Sequence, residues 1–501
     1  MKLYLQPDGA LWQPERYHYA AEQMMLTLFP GEKPEYPAGP PHTLEEGSFA
    51  RFSLALDREE GVLEAVVQWR DAQAKGERRF PARELAQPPE AVYHTVQHAL
   101  KLAFYQAGVA LLGKEPPWGA LTGVRPVKLP TRAMAAGATE EEAQRQLELE
   151  YRVSSPRAKL AVDCAKASLA AQRSLGDKEV SLYIGIPFCP TRCAYCSFVS
   201  ADVGRTLKLV EPYVEALSEE IRASGRLLTE LGLSVRSFYM GGGTPTTLSP
   251  EQMDHLLSQC RRELPLSHCT EFTVEAGRPD TITQEKLQVL KAQGVGRISI
   301  NPQTLQDHVL SAIGRCHSAR DITQAYDLAR KVGFDCINMD LIAGLPKDSL
   351  DGFCRSLEGV LAMAPENITV HTLALKKGSA LMEHGGALPS GEETAQMLDF
   401  SRDELRKHGY VPYYLYRQKY MSGSLENVGW SKPGKESLYN IIMMEELQTV
   451  ISLGGGGVTK LIEPKRGKIL RLTNPKYPHD YLACQEKLEQ QRGEIAAFYA
   501  R

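Results

Sequence analysis

Residues 186–196 read IPFCPTRCAYC, with Cys189, Cys193 and Cys196 spaced CxxxCxxC. The run that leads into them, SLYIGIP, is apolar and rich in β-branched residues, so the thiols sit just past the end of an expected buried strand. Five further runs of this kind follow: VRSFYMGG, EFTVEAG, RISINP, FDCINMDLIAG and ITVHTLAL. Amphipathic segments of helical length separate them, among them VEPYVEALSEEIRASGRLLTEL and SARDITQAYDLARKVG. Six strands alternating with helices imply a parallel sheet with right-handed crossovers, each strand apolar on both faces. In barrel-like α/β folds the active site lies at the C-terminal strand ends. The unusual residues fall there: IPFC, GGGTP, EAGRP, NPQ and DLIAGLP follow the first five strands in turn.

Three thiols are one short of the usual metal cage. Structural zinc takes four ligands, and no matching cysteine pair or histidine follows at finger spacing. Three thiolates on a short loop can instead hold three irons of a [4Fe–4S] cluster and leave the fourth open. Plain electron transfer has no use for an open iron, since four cysteines serve it. An open iron suits a small molecule that must bind metal directly. A zinc site and three structural cysteines are the other readings. The remaining seven cysteines are scattered and read as small buried side chains.

The 501 residues are 43% hydrophobic and 24% charged, as in an ordinary globular chain. A net charge of -3 gives no electrostatic case for nucleic acid or anionic membranes as partners. The opening MKLYLQPDGALWQPERY lacks an apolar signal core, and no run of 18 apolar residues occurs, so a soluble cytoplasmic protein is expected. Four regions are expected. Residues 1–115 form an α+β module, in which KLYL is a strand and RFSLALDREEGVLEAVVQW is a hairpin whose charged turn ends at Gly61. Val92, Val96, Ala99, Leu100 and Ala103 share one helical face there, and 29–42 is a Pro/Gly-rich loop. Residues 116–180 form a mostly helical connector, 181–375 the β/α array, and 376–501 a region that shapes the substrate pocket.

CxxxCxxC with Tyr195 before the last cysteine, after the first strand of a six-strand β/α array, resembles the radical S-adenosylmethionine (SAM) enzymes. The resemblance implies a partial (β/α)6 barrel, a [4Fe–4S] cluster on Cys189, Cys193 and Cys196, and SAM on the fourth iron. It also implies SAM-contacting residues. Gly242, Gly243 and Thr244 match the glycine motif that meets the SAM amino group. Glu275 and Asp340 match ribose contacts, Arg315 a carboxylate clamp, Gln303 a further contact, and Tyr183 a residue near the sulfonium. A structural role is the alternative for Glu275, and a simple turn for the glycine run.

LYIGIPFC, GGGTPTTL, RISINPQTL, GRCH and DLIAGLP together resemble the oxygen-independent coproporphyrinogen III oxidase branch. WGALTGVRPVKL and PYYLYRQKYMSGSLENVGW resemble its HemZ-type dehydrogenases. The implied reaction turns two propionates of coproporphyrinogen III into vinyl groups with loss of CO2. An electron donor such as flavodoxin or ferredoxin is implied as partner. The chain departs from characterised oxidases at Phe198, where they carry a further cysteine, at Gly185, where they carry histidine, and at Asn301–Pro302. Phe198 is shared with the HemW-type haem chaperones, but LYNIIMMEEL keeps only Asn440 of their haem box. A radical SAM enzyme on another substrate and a haem-transfer protein are therefore the competing readings. Tyr410, Tyr413, Tyr414, Tyr416, Tyr420 and Trp430, interleaved with Arg417 and Lys419, are expected to meet a flat, carboxylate-bearing tetrapyrrole. The alternative is a solvent-facing strand. Gly454–Gly457 allows close backbone packing or ligand approach. Arg125 is a candidate basic contact, Lys128 reads as surface charge, and His371 as a core or rim histidine.

Overall fold

The computed structural model describes residues 1–5, 14–37, 47–196, 201–375, 379–384, 387–418, 422–463 and 468–500. Phe198, Lys419 and Tyr420 lie outside them. Chain contacts divide the protein into two units: Met1–Val162 with Gly423–Leu425, and Asp163–Ser422 with Glu426–Arg501.

The first unit holds a four-stranded sheet of β1 (Lys2–Leu5), β2 (Phe49–Leu56), β3 (Glu60–Trp69) and β4 (Ala72–Pro81), in that order. β1 runs parallel to β2, and β2 to β4 form an antiparallel meander. The expected hairpin is present, but its turn is shorter than the sequence suggested. Asp57 Oδ1 accepts from the backbone N–H groups of Glu59 and Glu60, both at 2.7 Å, so Gly61 already lies inside β3. Helix Pro89–Leu112 buries Val92, Val96, Ala99, Leu100 and Ala103. β4 was not expected. It carries exposed Lys75, Arg78 and Arg79, and it offers few apolar side chains to read.

The second unit is built on one open sheet of 11 strands. In chain order these are β5 (Glu179–Ile186), β6 (Ser234–Gly242), β7 (Glu271–Glu275), β8 (Arg297–Ser299), β9 (Ile337–Ala343), β10 (Asn367–Thr372), β11 (Val411–Tyr416), β12 (Asn427–Ser431), β13 (Val450–Gly454), β14 (Val458–Ile462) and β15 (Ile469–Thr473). The six expected strands, β5 to β10, are adjacent, parallel and in sequence order. Antiparallel β12 and β11 extend one edge, and β13 pairs parallel with β5 on the other. The sheet does not close, which makes it a partial barrel.

The helices obey the same physics. Ala319–Val332 starts at a capping box of Ser318 and Asp321 and stops at Gly333, at φ 100°. It buries Ile322, Ala325, Tyr326 and Ala329, one stripe at helical spacing.

β5 ends between two sets of glycines. On one side a Cβ on Gly185 would stand 2.4 Å from the Gly455 carbonyl oxygen, and one on Gly454 would stand 2.5 Å from the Gly185 oxygen. Tyr213 locks this contact, donating to the Gly185 carbonyl and accepting from the Gly455 N–H, each at 2.6 Å. Buried Glu220 accepts from the Gly454 N–H at 2.7 Å, Tyr481 Oη at 2.5 Å and Asn474 Nδ2 at 3.3 Å. The glycine run thus packs backbone on backbone, and Gly185 leaves no room for a side chain.

Gly185→Ala should therefore destabilise the protein by about 1–3 kcal/mol, the usual cost of overpacking a tight contact. Denaturant unfolding of the metal-free chain would measure this, and an unchanged midpoint would contradict the close packing.

Candidate active site

Each strand of the barrel alternates in and out, and its inward positions are polar. Thr273 and Glu275 on β7, Arg297 and Ser299 on β8, Asn338 and Asp340 on β9, and Thr369 and His371 on β10 all line one cavity of about 590 Å³. Tyr183 and Tyr239 line it from β5 and β6. The expectation of strands apolar on both faces is corrected here: the outward face is apolar, the inward face is not. A period-two signal is nonetheless present in FTVE, RIS, NMD and TVH.

The cavity also gathers every residue named from the sequence for cluster and SAM: the three cysteines, Tyr183, Gly242, Gly243, Thr244, Glu275, Gln303, Arg315 and Asp340. The cysteine loop is held at both ends. Ala201 N–H donates to the Pro187 carbonyl at 2.8 Å, pairing Phe188–Cys189 with Ala201–Asp202. Ala194 N–H donates to the Ile313 carbonyl at 3.0 Å, and Cys189 Sγ lies 3.5 Å from Thr244 Oγ1. The glycines after β6 let this loop close. Gly243 and Thr244 donate their N–H groups to the Ile186 and Phe188 carbonyls at 2.8 and 2.7 Å, and a Cβ on Gly243 would stand 2.4 Å from the Phe188 oxygen.

Arg315 is buried between the loop and β8, donating to the Asn301 carbonyl at 2.7 Å and to Tyr195 Oη at 3.1 Å. Burial works against its charge, but Tyr195 and Cys193 outweigh that and raise its pKa. Gln303 sits at φ 67°, a left-handed conformation uncommon for a side-chain-bearing residue. Its N–H donates to the Asp340 carbonyl and its own carbonyl accepts from Ile342, which fixes the strained turn on β9.

Two carboxylates line the cavity with opposite tuning. Burial pushes Glu275 up to about 7, against the hydrogen bond from Tyr239 Oη at 2.5 Å, with Asp340 raising it further. Burial also acts on Asp340, but His371, at 3.7 Å, and Asn338, donating at 2.7 Å, hold it below the ordinary value. Tyr239 was not singled out from the sequence. Its ring lies nearly parallel to those of Tyr183 and Tyr439, at centroid distances of 6.3 and 4.5 Å.

The C-terminal aromatic stretch divides. Tyr413, Tyr414 and Tyr416 line the cavity. Tyr410 is buried away from it, donating to the Pro365 carbonyl, and Trp430 is core. Arg417, expected as a basic contact, is buried near Glu426 instead, and burial lowers it to about 10. Lys460 contributes a cation to the wall. Helix Leu438–Glu445 brings in Asn440, Met443 and Met444, seated by Glu271, which accepts from Ser437 Oγ and the N–H groups of Leu438 and Tyr439.

The lining fits a cluster with an ionic small molecule on it. Thr273 Oγ1, Gln303 Oε1 and Arg315 Nε are buried and lack hydrogen-bond partners. Each such atom costs about 1–3 kcal/mol unless a ligand satisfies it. Among the described residues no three Cys, His, Asp or Glu side chains converge on a single ion, and three thiolates on three separate irons need no common point.

The family signature "Radical SAM superfamily" matches residues 183–358. The chain is 41% identical over 394 residues to the oxygen-independent coproporphyrinogen-III oxidase-like protein HemZ of Bacillus subtilis, covering 78% of this chain and 79% of HemZ. It is 34% identical to the haem chaperone HemW of the same organism over 52% of this chain and 66% of HemW. Among solved structures, coproporphyrinogen III oxidase (HemN) from Escherichia coli shares the fold, with a TM-score of 0.51 at 22% identity over 65% of this chain and 73% of that one. Among the described residues no helix is long and apolar enough to cross a membrane.

The raised Glu275 pKa has a definite sign. The folded protein holds a proton that the unfolded chain releases near the ordinary carboxylate value, so wild-type stability falls as pH rises from about 4.5 to about 7. Glu275→Gln lacks that loss. Unfolding at pH 5 and pH 8 should show the variant gaining on wild type at the higher pH, and a constant difference would contradict the shift.

Proposed function

The chain belongs to the radical SAM superfamily, in its branch of HemZ-type coproporphyrinogen-III oxidase-like proteins, and on that premise we propose that it oxidatively decarboxylates coproporphyrinogen III. Membership brings a [4Fe–4S] cluster and SAM, and together they supply a carbon radical that takes one hydrogen atom from substrate. Cys189, Cys193 and Cys196 would hold three irons. Arg315 would meet the SAM carboxylate with its planar fork, and Glu275 and Asp340 would accept from the ribose hydroxyls. Gly242, Gly243 and Thr244 would frame the amino group, with Gln303 and Tyr183 completing the wall.

The single observation that carries the substrate reading is the extent of the HemZ match. It covers 78% of the chain, far beyond residues 183–358, whereas the HemW match covers 52%. The cavity supports it. Tyr413, Tyr414 and Tyr416 offer ring faces to a flat macrocycle, and Lys460 offers charge to its carboxylates. Each propionate would lose one hydrogen atom, one electron and CO2 to become a vinyl group. A low-potential protein donor such as flavodoxin or ferredoxin would reduce the cluster. The haem-chaperone reading draws on His371, Met443 and Met444, side chains able to ligate haem iron in the same cavity.

Anaerobically reconstituted protein, reduced and given SAM, should form 5′-deoxyadenosine together with CO2 and vinyl product when coproporphyrinogen III is present. Cys193→Ala should abolish all three. Deoxyadenosine with unchanged porphyrinogen would assign the radical chemistry to another substrate. Stable haem uptake without SAM cleavage would favour the chaperone reading.

A further inference from the structure

Arg278 is one of the most enclosed cations in the second unit, with 4% of its side chain exposed, and it reaches the cavity wall beside the cysteine loop. It follows β7 in the turn EAGRP. Nε and Nη2 grip the two oxygens of Asp280 at 2.9 and 2.8 Å. That leaves Nη1, which points at the cysteine loop: it donates to Thr191 Oγ1 at 3.2 Å and the Thr191 carbonyl at 3.4 Å, and reaches Cys193 Sγ at 3.8 Å. Buried His317 stands beside Asp280, its Nδ1 3.5 Å from Oδ1, on the segment that carries Arg315. The turn is pinned from behind by Thr281, which donates to the Arg278 carbonyl at 2.8 Å and pairs with Thr246 Oγ1 at 2.7 Å.

The whole fork is therefore used. Two donors fix the plane and the third is aimed at one thiolate. A strut for the loop would need only the Thr191 contacts, and threonine takes hydrogen bonds from neutral donors as well as from a buried cation. The sulfur contact is where charge matters. A guanidinium beside a cluster thiolate favours the more reduced, more negative cluster, and hydrogen bonds to the sulfurs are a principal lever on cluster potential.

We propose that Arg278 is a positioning residue that raises the reduction potential of the cluster through Cys193, with Asp280 setting how much of its charge the cluster feels. The inference rests on the cluster alone and is independent of which substrate the enzyme takes.

The test is an EPR-monitored redox titration of the reconstituted protein without substrate, alongside iron and sulfide content. Arg278→Gln should lower the midpoint so that the reduced-to-oxidised ratio at fixed potential falls about tenfold, about 59 mV for a one-electron couple. Arg278→Lys should recover part of it. Asp280→Asn keeps an acceptor for the guanidinium but removes the balancing charge, so its midpoint should rise. A strut predicts lost cluster content, or shifts of one sign in both variants. Full cluster content with an unchanged midpoint in Arg278→Gln would overturn the proposal. If that variant holds no cluster, Asp280→Asn decides alone: a rise supports the proposal, and no change or a fall overturns it.

Discussion

Close backbone contact at the end of β5 is the constraint on which the site depends. The cysteine loop leaves the sheet there, and its first residues are set by what β5 can touch. Gly185 meets Gly454 and Gly455 on one side, and Gly243 meets the Ile186 and Phe188 carbonyls on the other. These contacts need residues without a Cβ. With them in place, Cys189 is delivered to Thr244 and the loop closes through the Phe188–Cys189 pairing. Tyr213 and Glu220 tie the same point to the C-terminal strand β13, so residues far apart in the chain share one anchor.

A second consequence follows from an open barrel with a polar lumen. Parallel strands buried on both faces are usually apolar throughout. Here the inner face carries Thr, Arg, Ser, Asn, Asp, Glu and His, which is stable only if those groups find partners. Some do so within the protein, as Asn338 does with Asp340 and Tyr239 with Glu275. Others, such as Gln303 Oε1 and Thr273 Oγ1, do not. Partial satisfaction with strain at Gln303 is the pattern of a site formed in advance of its ligand.

Charge is arranged with equal economy. Two buried guanidiniums, Arg278 and Arg315, flank the cysteine loop, one paired with Asp280 and the other hydrogen-bonded to the Asn301 carbonyl and Tyr195 Oη. Glu275 and Asp340, similar groups in one cavity, are driven apart because only Asp340 has a histidine beside it. Residue type alone does not separate them.

The sequence by itself determined the six-strand array, its order and the residues at its ends, because hydrophobic runs, helix stripes and caps act over a few residues and leave a local trace. It also carried the spacing of Cys189, Cys193 and Cys196, and the residues from Tyr183 to Asp340 that line the cavity. Only the tertiary structure decided that Gly185 answers to Gly455, that Arg417 is buried with Glu426 while Lys460 enters the cavity, and that Arg278 reaches Cys193. Those relations join residues from 9 to 270 positions apart. They depend on which strand lies beside which and which way each side chain points, and no local pattern records that.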